Sequence, residues 1–233
     1  MDQVTRVLLV DDDPLVRSGL RLMLSGAPEI EVVAEAADGA DVQQLVDEHH
    51  PDLVLMDIRM PRMDGLAATA ALRRRPHPPE VLILTTFTTD GYVLEALRAG
   101  AAGYVLKHTP PAQIIAAVRN VAAGEPVLSP TAVKQLINAV TSAKDHAVTS
   151  AENKAATSQH DDQAEAARLL GLLGKREREV ALAVGLGKTN AEISTSLYMS
   201  VPTVKAHVSH ILTKLDLNNR VQIALVVYRA GLA

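Results

Sequence analysis

Five short apolar runs recur through the first half of this chain: RVLLV (6–10), EVVAE (31–35), DLVLM (52–56), EVLILTT (80–86) and GYVLK (103–107). Most are continuous rather than alternating in polarity, the pattern of strands buried on both faces of a parallel sheet. Between them lie VRSGLRLML, DVQQLVDEH, GLAATAALRR, GYVLEALRAG and AQIIAAVRNVAAG, whose apolar residues recur about every 3.6 positions, so each reads as an amphipathic helix. Parallel strands need crossover connections. The alternation therefore predicts an α/β fold, a doubly wound five-stranded parallel sheet with helices on both faces. The functional crevice of such a sheet lies outside the carboxyl ends of its strands.

This pattern occupies residues 1–128. From 129 to 171 the text turns to Ala, Ser, Thr, Gln and Asp, with no Gly or Pro between 131 and 170, and reads as a linker whose first part extends a helix. Alanine favours a further helix in its middle, although few large apolar residues are available to dock one. Residues 172–233 are helical throughout, as KREREVALAVGLG, NAEISTSLYM, SVPTVKAHVSHILTKL and NRVQIALVVYRAGL, and predict a small all-α domain of four helices.

The two ends differ in charge. Residues 1–128 hold 11 Lys and Arg against 18 Asp and Glu, a net −7, whereas residues 172–233 hold 8 against 4, a net +4. A basic C-terminal module points to nucleic acid, because neutralisation of phosphates by Lys and Arg supplies most non-specific affinity. The absence of cysteine excludes a disulfide framework, a thiolate metal site and a cysteine nucleophile. The N-terminal MDQVTRVLLVDDDP is too briefly apolar for a signal peptide or a membrane span, so a cytoplasmic protein without a membrane partner is expected.

The chemistry gathers at the strand ends. Asp11, Asp12 and Asp13 follow the first strand, Asp57 the third, Thr85 and Thr86 close the fourth, and Lys107 ends the fifth, so a parallel sheet brings them to one edge. Carboxylates about 4 Å apart repel by roughly 4 kcal/mol per pair at an effective dielectric near 20. Lys107 and a divalent cation would compensate, and oxygen-only ligands beside a phosphoryl group point to Mg2+. The plainer alternative is that Asp11 to Asp13 cap the helix beginning near Pro14.

Over residues 4–125 the chain resembles the receiver domain family, through Asp11 and Asp12 in VLLVDDDP, Asp57 in LVLMDIRMPRMDG, Thr85 in VLILTTF, and Tyr104 and Lys107 in AAGYVLK. The resemblance implies that Asp57 is the phosphoacceptor, attacking the phosphohistidine of a sensor histidine kinase. Asp12 and Asp57 would bind Mg2+ with the backbone carbonyl of Arg59, and Asp11 would act largely through metal-bound water. Thr85 and Lys107 would contact phosphoryl oxygens, and Tyr104 would change rotamer as Thr85 moves inward. Such transfer needs positioning and charge neutralisation more than a strong acid or base. A phosphohydrolase working through an aspartyl-phosphate would need a second carboxylate two residues after the nucleophile, where this chain has Arg59, so no enzyme of that kind is expected. Phe87, two residues after Thr85, also offers no acid. His108 follows Lys107 where many receivers carry proline. It reads either as a catalytic base or as an ordinary surface histidine.

In the C-terminal domain, Val201, Val204, Val208, Ile211, Leu212 and Leu215 form one apolar stripe, with Ser200 as cap and Pro202 in the first turn. The other side carries Thr203, Ala206, Ser209, His210 and Thr213, with Lys205 and His207 at its margins, a small and polar surface suited to a major groove. Residues 172–233 resemble the LuxR-type helix-turn-helix of the NarL/FixJ response regulators through KREREVALAVGLGKTNAEISTSLYMSVPTVKAHVSHILTKL and NNRVQIAL. The resemblance implies a scaffold helix at 190–198, a recognition helix at about 201–215, and Lys205, Ala206 and Ser209 facing DNA, with Glu179 and Ile193 at core or scaffold positions. Some relatives carry a second lysine in place of Ser209. A four-helix protein-binding module is the bland alternative. Taken together, the two resemblances imply a response regulator in which phosphorylation of Asp57 controls dimerisation and binding to promoter DNA, with RNA polymerase the natural further contact. An atypical regulator switched by a ligand or by constitutive dimerisation is the competing reading.

Overall fold

A computed structural model describes residues 4–86, 92–128 and 155–232, which fall into two compact units divided between residues 136 and 137. Phe87 and the segment 129–154, including the helical extension read there, lie outside the described residues.

In the first unit the apolar runs become β1 (Thr5–Val10), β2 (Ile30–Ala36), β3 (Leu53–Met56), β4 (Glu80–Thr85) and β5 (Gly103–Leu106). They pair in parallel, in the order β2-β1-β3-β4-β5, and a sixth strand, β6 (Val127–Leu128), joins the far edge beside β5. Two residues cannot display a period, so β6 was invisible in the sequence. The crossovers are α1 (Pro14–Leu24), α2 (Val42–His49), α3 (Gly65–Arg73), α4 (Tyr92–Ala99) and α5 (Pro111–Ala122). Val7, Leu9, Leu55, Leu82, Leu84 and Val105 form one core with Leu24 of α1 and Ile114, Val118 and Val121 of α5. Alternate strand residues point to the other face, where Leu8, Val54 and Ile83 are equally buried, as are Val46, Leu72 and Leu97 of α2 to α4. Each such side chain contributes about 1.5–3 kcal/mol through burial. Both faces of the central strands are thus covered, which is why their sequences are continuously apolar.

The second unit contains α6 (Ala155–Gly171), α7 (Lys175–Gly185), α8 (Asn190–Leu197), α9 (Val201–Leu215) and α10 (Arg220–Arg229). Its core unites Val180, Val184, Ile193, Val204, Ile211, Leu215, Ile223 and Val227. Ala166 and Leu170 of α6 enter the same core with Leu173, so the helical unit begins before residue 172. Two docking residues one turn apart suffice for this, and an alanine-rich text hides them. Val201, read as part of the apolar stripe, stands 37% exposed at the first helical position.

Polar contacts centred on buried Glu177 and Arg220 tie these helices together, and periodicity could not reveal them. Glu177 accepts from the Gly174 N–H at 2.8 Å and from the Lys214 ammonium at 2.7 Å, joining the start of α7 to the last turn of α9. Arg220 donates to Asn190 Oδ1 at 2.6 Å and to the Lys188 carbonyl, joining α10 to the start of α8. The Lys214 contact, followed by the Gly174 N–H, holds the Glu177 carboxyl below its ordinary range. Its stabilising contribution is therefore present above the ordinary carboxylate range and is lost as pH falls through the lowered value. Glu177→Gln should cost about 1 kcal/mol at neutral pH, the size of a lost cap with a partly exposed ion pair. In urea titrations of the helical unit, the gap between the two proteins should close in acid; a gap independent of pH would refute the ionic role.

Candidate functional site

Backbone bonds set the strand ends in place before any side chain acts. The Asp57 N–H donates to the Val10 carbonyl at 2.9 Å, and the Lys107 N–H donates to the Thr85 carbonyl at 2.8 Å, so the residues leaving β1, β3, β4 and β5 share one edge. The Lys107 ammonium stands 2.6 Å from Asp11 Oδ2 and 2.8 Å from Asp57 Oδ2. Asp57 Oδ1 accepts from the Ile58 N–H at 2.7 Å, and Asp11 Oδ1 accepts from the Asp13 N–H at 3.1 Å. Asp11 and Asp57 are buried and Asp12 is exposed, with a carboxylate oxygen from each lying within 4.8 Å of the others. Asp13 is different: it caps α1, accepting from the Leu15 N–H at 2.8 Å. The capping reading therefore holds for Asp13, while Asp11 and Asp12 turn into the pocket.

Burial pushes the Asp11 carboxyl above its ordinary range, and the bonds from Lys107 and the Asp13 N–H oppose this without cancelling it. Burial also works against the Lys107 ammonium, but Asp11 and Asp57 outweigh it and hold Lys107 above the ordinary lysine value. One lysine thus serves two buried carboxylates, and the cluster stays short of positive charge. Three clustered carboxylates, one open to solvent, make an all-oxygen donor set suited to a hard divalent cation that keeps several waters.

Thr85 and Tyr104 are both fully buried. Burial, together with Asp57 and Tyr92, pushes the Tyr104 phenol up to about 12, so it remains a neutral hydroxyl at physiological pH. Arg59 lies on the loop between β3 and α3 with an exposed side chain, and its guanidinium reaches Tyr92 Oη at the start of α4 at 3.4 Å. His108 is exposed, in a turn closed by the Thr109 N–H donating to the Leu106 carbonyl at 2.9 Å. Peptide bonds among the described residues are trans. Two residues near the pocket escaped sequence reasoning. Arg17 donates to the Asp11 carbonyl at 2.5 Å and pairs with Glu35, and Asp38, beyond β2, is buried. The strand-end rule that singled out Asp57 would have pointed to Asp38 as well.

In the second unit α9 begins at its cap Ser200, whose hydroxyl lies 2.8 Å from that of Thr203. Thr203, Lys205, Ala206 and Ser209 are exposed along this helix, as are His210 and Thr213. His207 stands apart: it is half-buried, and among the described residues its enclosed Nδ1 has no hydrogen-bond partner. Ile193 is buried, whereas Glu179 is only half-buried and pairs with Arg176 at 2.8 Å, leaving Glu177 as the buried acid of α7. No helix among the described residues is long and apolar enough to cross a membrane.

A strand-edge acidic pocket followed by a helix-turn-helix defines a class of protein, and comparison with known proteins gives the same result for each half. The response regulator receiver domain matches residues 7–119, and the bacterial regulatory proteins of the luxR family match residues 172–227. The transcriptional regulatory protein LiaR of Bacillus subtilis is 36% identical over 224 residues, which cover 96% of this chain and 97% of LiaR. The oxygen regulatory protein NreC of Staphylococcus haemolyticus is 35% identical over 216 residues, covering 92% and 93%. The signal receiver domain of the response regulator NarL from Mycobacterium tuberculosis superposes with a TM-score of 0.51 at 40% identity, covering 53% of this chain and 99% of that one. The chain belongs to the two-component response regulators of the LuxR family, with a receiver domain and a DNA-binding domain.

Because its folded pKa is raised, the Asp11 charge works against the metal-free fold, and its unfavourable share grows as pH rises through the ordinary carboxylate range. Asp11→Asn should therefore raise the urea midpoint at neutral pH without divalent cations. Added Mg2+ should then stabilise the parent more than the variant. A lower midpoint for the metal-free variant would contradict this balance of charges.

Proposed function

We propose that Asp57 accepts a phosphoryl group from the phosphohistidine of a sensor kinase and that this modification controls binding of the second unit to promoter DNA. The observation carrying this reading is the Lys107 ammonium held 2.8 Å from Asp57 at the sheet edge, beside Asp11 and Asp12. A P–O bond to the Asp57 carboxylate forms as the P–N bond of the donor breaks, and the electron pair returns to the imidazole nitrogen. Asp12, Asp57 and the Arg59 carbonyl would hold Mg2+, with Asp11 acting at one remove through water, and the ion would supply neutralisation of charge on the phosphoryl oxygens. Lys107 then turns from carboxylate to phosphoryl oxygens. Thr85 follows the phosphoryl group, and Tyr104 responds to the space Thr85 vacates. The chain itself performs no turnover on a further substrate.

Asp57→Asn tests this directly. With a small phosphodonor and Mg2+, acid-labile phosphorylation should disappear while the circular dichroism spectrum is kept. Label retained on the variant would reject the site, and unchanged regulation of DNA binding would favour the atypical, phosphorylation-independent reading.

On the DNA side, Lys205, Ala206, Ser209 and Thr203 of α9 face the major groove. His207 supports the helix from its half-buried position and contributes at the margin. The basic region carries only +4, so a single unit should bind weakly. Phosphorylation acts by pairing two chains, which makes the second DNA contact intramolecular and raises avidity by about 10²–10⁴. Lys205→Ala should weaken specific binding by about 1–3 kcal/mol if it reads a base edge. If it touches phosphate alone, specific and non-specific affinity should fall together, with the salt slope reduced by about one. Unchanged affinity across several salt concentrations would remove Lys205 from the interface.

A further inference from the structure

Asp38 lies outside the acidic pocket, just beyond β2, yet it is only 3% exposed. Its carboxylate accepts three backbone N–H groups: Oδ1 from Ala40 at 2.9 Å and Met63 at 3.1 Å, and Oδ2 from Arg62 at 2.8 Å. The Arg62 guanidinium adds a contact at 3.7 Å and pairs with Asp41 at 2.5 Å. The Gly39 N–H donates to the Met63 carbonyl at 3.3 Å, reinforcing the same tie. Met63 and Arg62 belong to the loop between β3 and α3, which begins at Asp57 and carries Arg59.

The other end of this loop is closed just as firmly. The Gly65 N–H donates to the Ile58 carbonyl at 2.7 Å, and a Cβ at Gly65 would collide with the carbonyl oxygen of Asp57. The loop is therefore folded back on itself at its base and pinned at its tip to the residues following β2. A carboxylate is suited to that tip because it is acceptor-only, with lone pairs for several converging N–H donors.

We infer that Asp38 is a positioning residue for the divalent cation, acting through the loop that presents Asp57 and the Arg59 backbone. This inference rests on the reading of the pocket as a Mg2+ site. Mg2+ demands near-ideal octahedral geometry, whereas Ca2+ tolerates variable coordination, so a loop that loses its tether penalises Mg2+ more. Residues that orient metal ligands without touching the metal typically affect affinity by about 10–100-fold.

The test is calorimetric titration of the full-length protein with MgCl2 and, separately, with CaCl2, beside urea unfolding of the same samples. Asp38→Ala should weaken Mg2+ binding by about 10–100-fold and Ca2+ binding by less, lowering the ratio of the two affinities. Asp38→Asn keeps one acceptor oxygen but sets an NH2 group against a backbone N–H donor, so it should fall between parent and Ala, and it carries the test if the Ala variant does not fold. A folded variant with the parent's Mg2+ affinity, or with both affinities reduced in equal proportion, would overturn the positioning role. Asp57→Ala separates this from the underlying reading: if it bound Mg2+ as tightly as the parent, the pocket itself would not be the metal site.

Discussion

The ammonium of Lys107, set between the buried carboxylates of Asp11 and Asp57, is the interaction around which the first unit is organised. Parallel pairing of β1, β3, β4 and β5 forces the residues that leave these strands onto one edge, and three of them are acids. Buried charges of one sign persist only with partners of the other. Lys107 supplies part of that compensation from the end of β5, across β4, and its own raised pKa reflects the two carboxylates. What remains is a shortage of positive charge among oxygens arranged to suit a hard divalent cation. Stability and chemistry at this edge are therefore the same electrostatic problem.

The loops around the pocket show how such a cluster is kept in register. Arg17 holds the Asp11 carbonyl from α1, and Asp38 holds the β3–α3 loop from beyond β2. Neither forms part of the carboxylate triad. Each fixes backbone rather than the pocket side chains, which restrains the loops around the strand ends while leaving the carboxylates available.

The helical unit uses the same device for a different end. Its helix α9 presents small and polar residues outward and is fastened from behind by Val204, Ile211 and Leu215, by its Ser200 cap and by the Lys214–Glu177 contact. The Arg220–Asn190 bond fixes α10 against the start of α8. A core this small gains from polar ties that specify one arrangement of its helices.

Local periodicity by itself determined the strands, the helices that join them and the acidic edge, because a buried parallel strand and an amphipathic helix each declare themselves within a few residues. The same reasoning placed Ser200 as the cap of α9 and most of its apolar stripe. It could not separate Asp13, a helix cap, from Asp11 and Asp12, since adjacent identical residues differ only in where the turning chain aims them. Nor could it find the docking of Ala166 and Leu170, the outward exposure of Val201 or the enclosure of His207, each of which depends on which neighbour covers one helix turn. The loop contacts of Asp38 lay further still from view: its partners are 24 and 25 positions away, and only the tertiary path of that loop brings their N–H groups to its carboxylate.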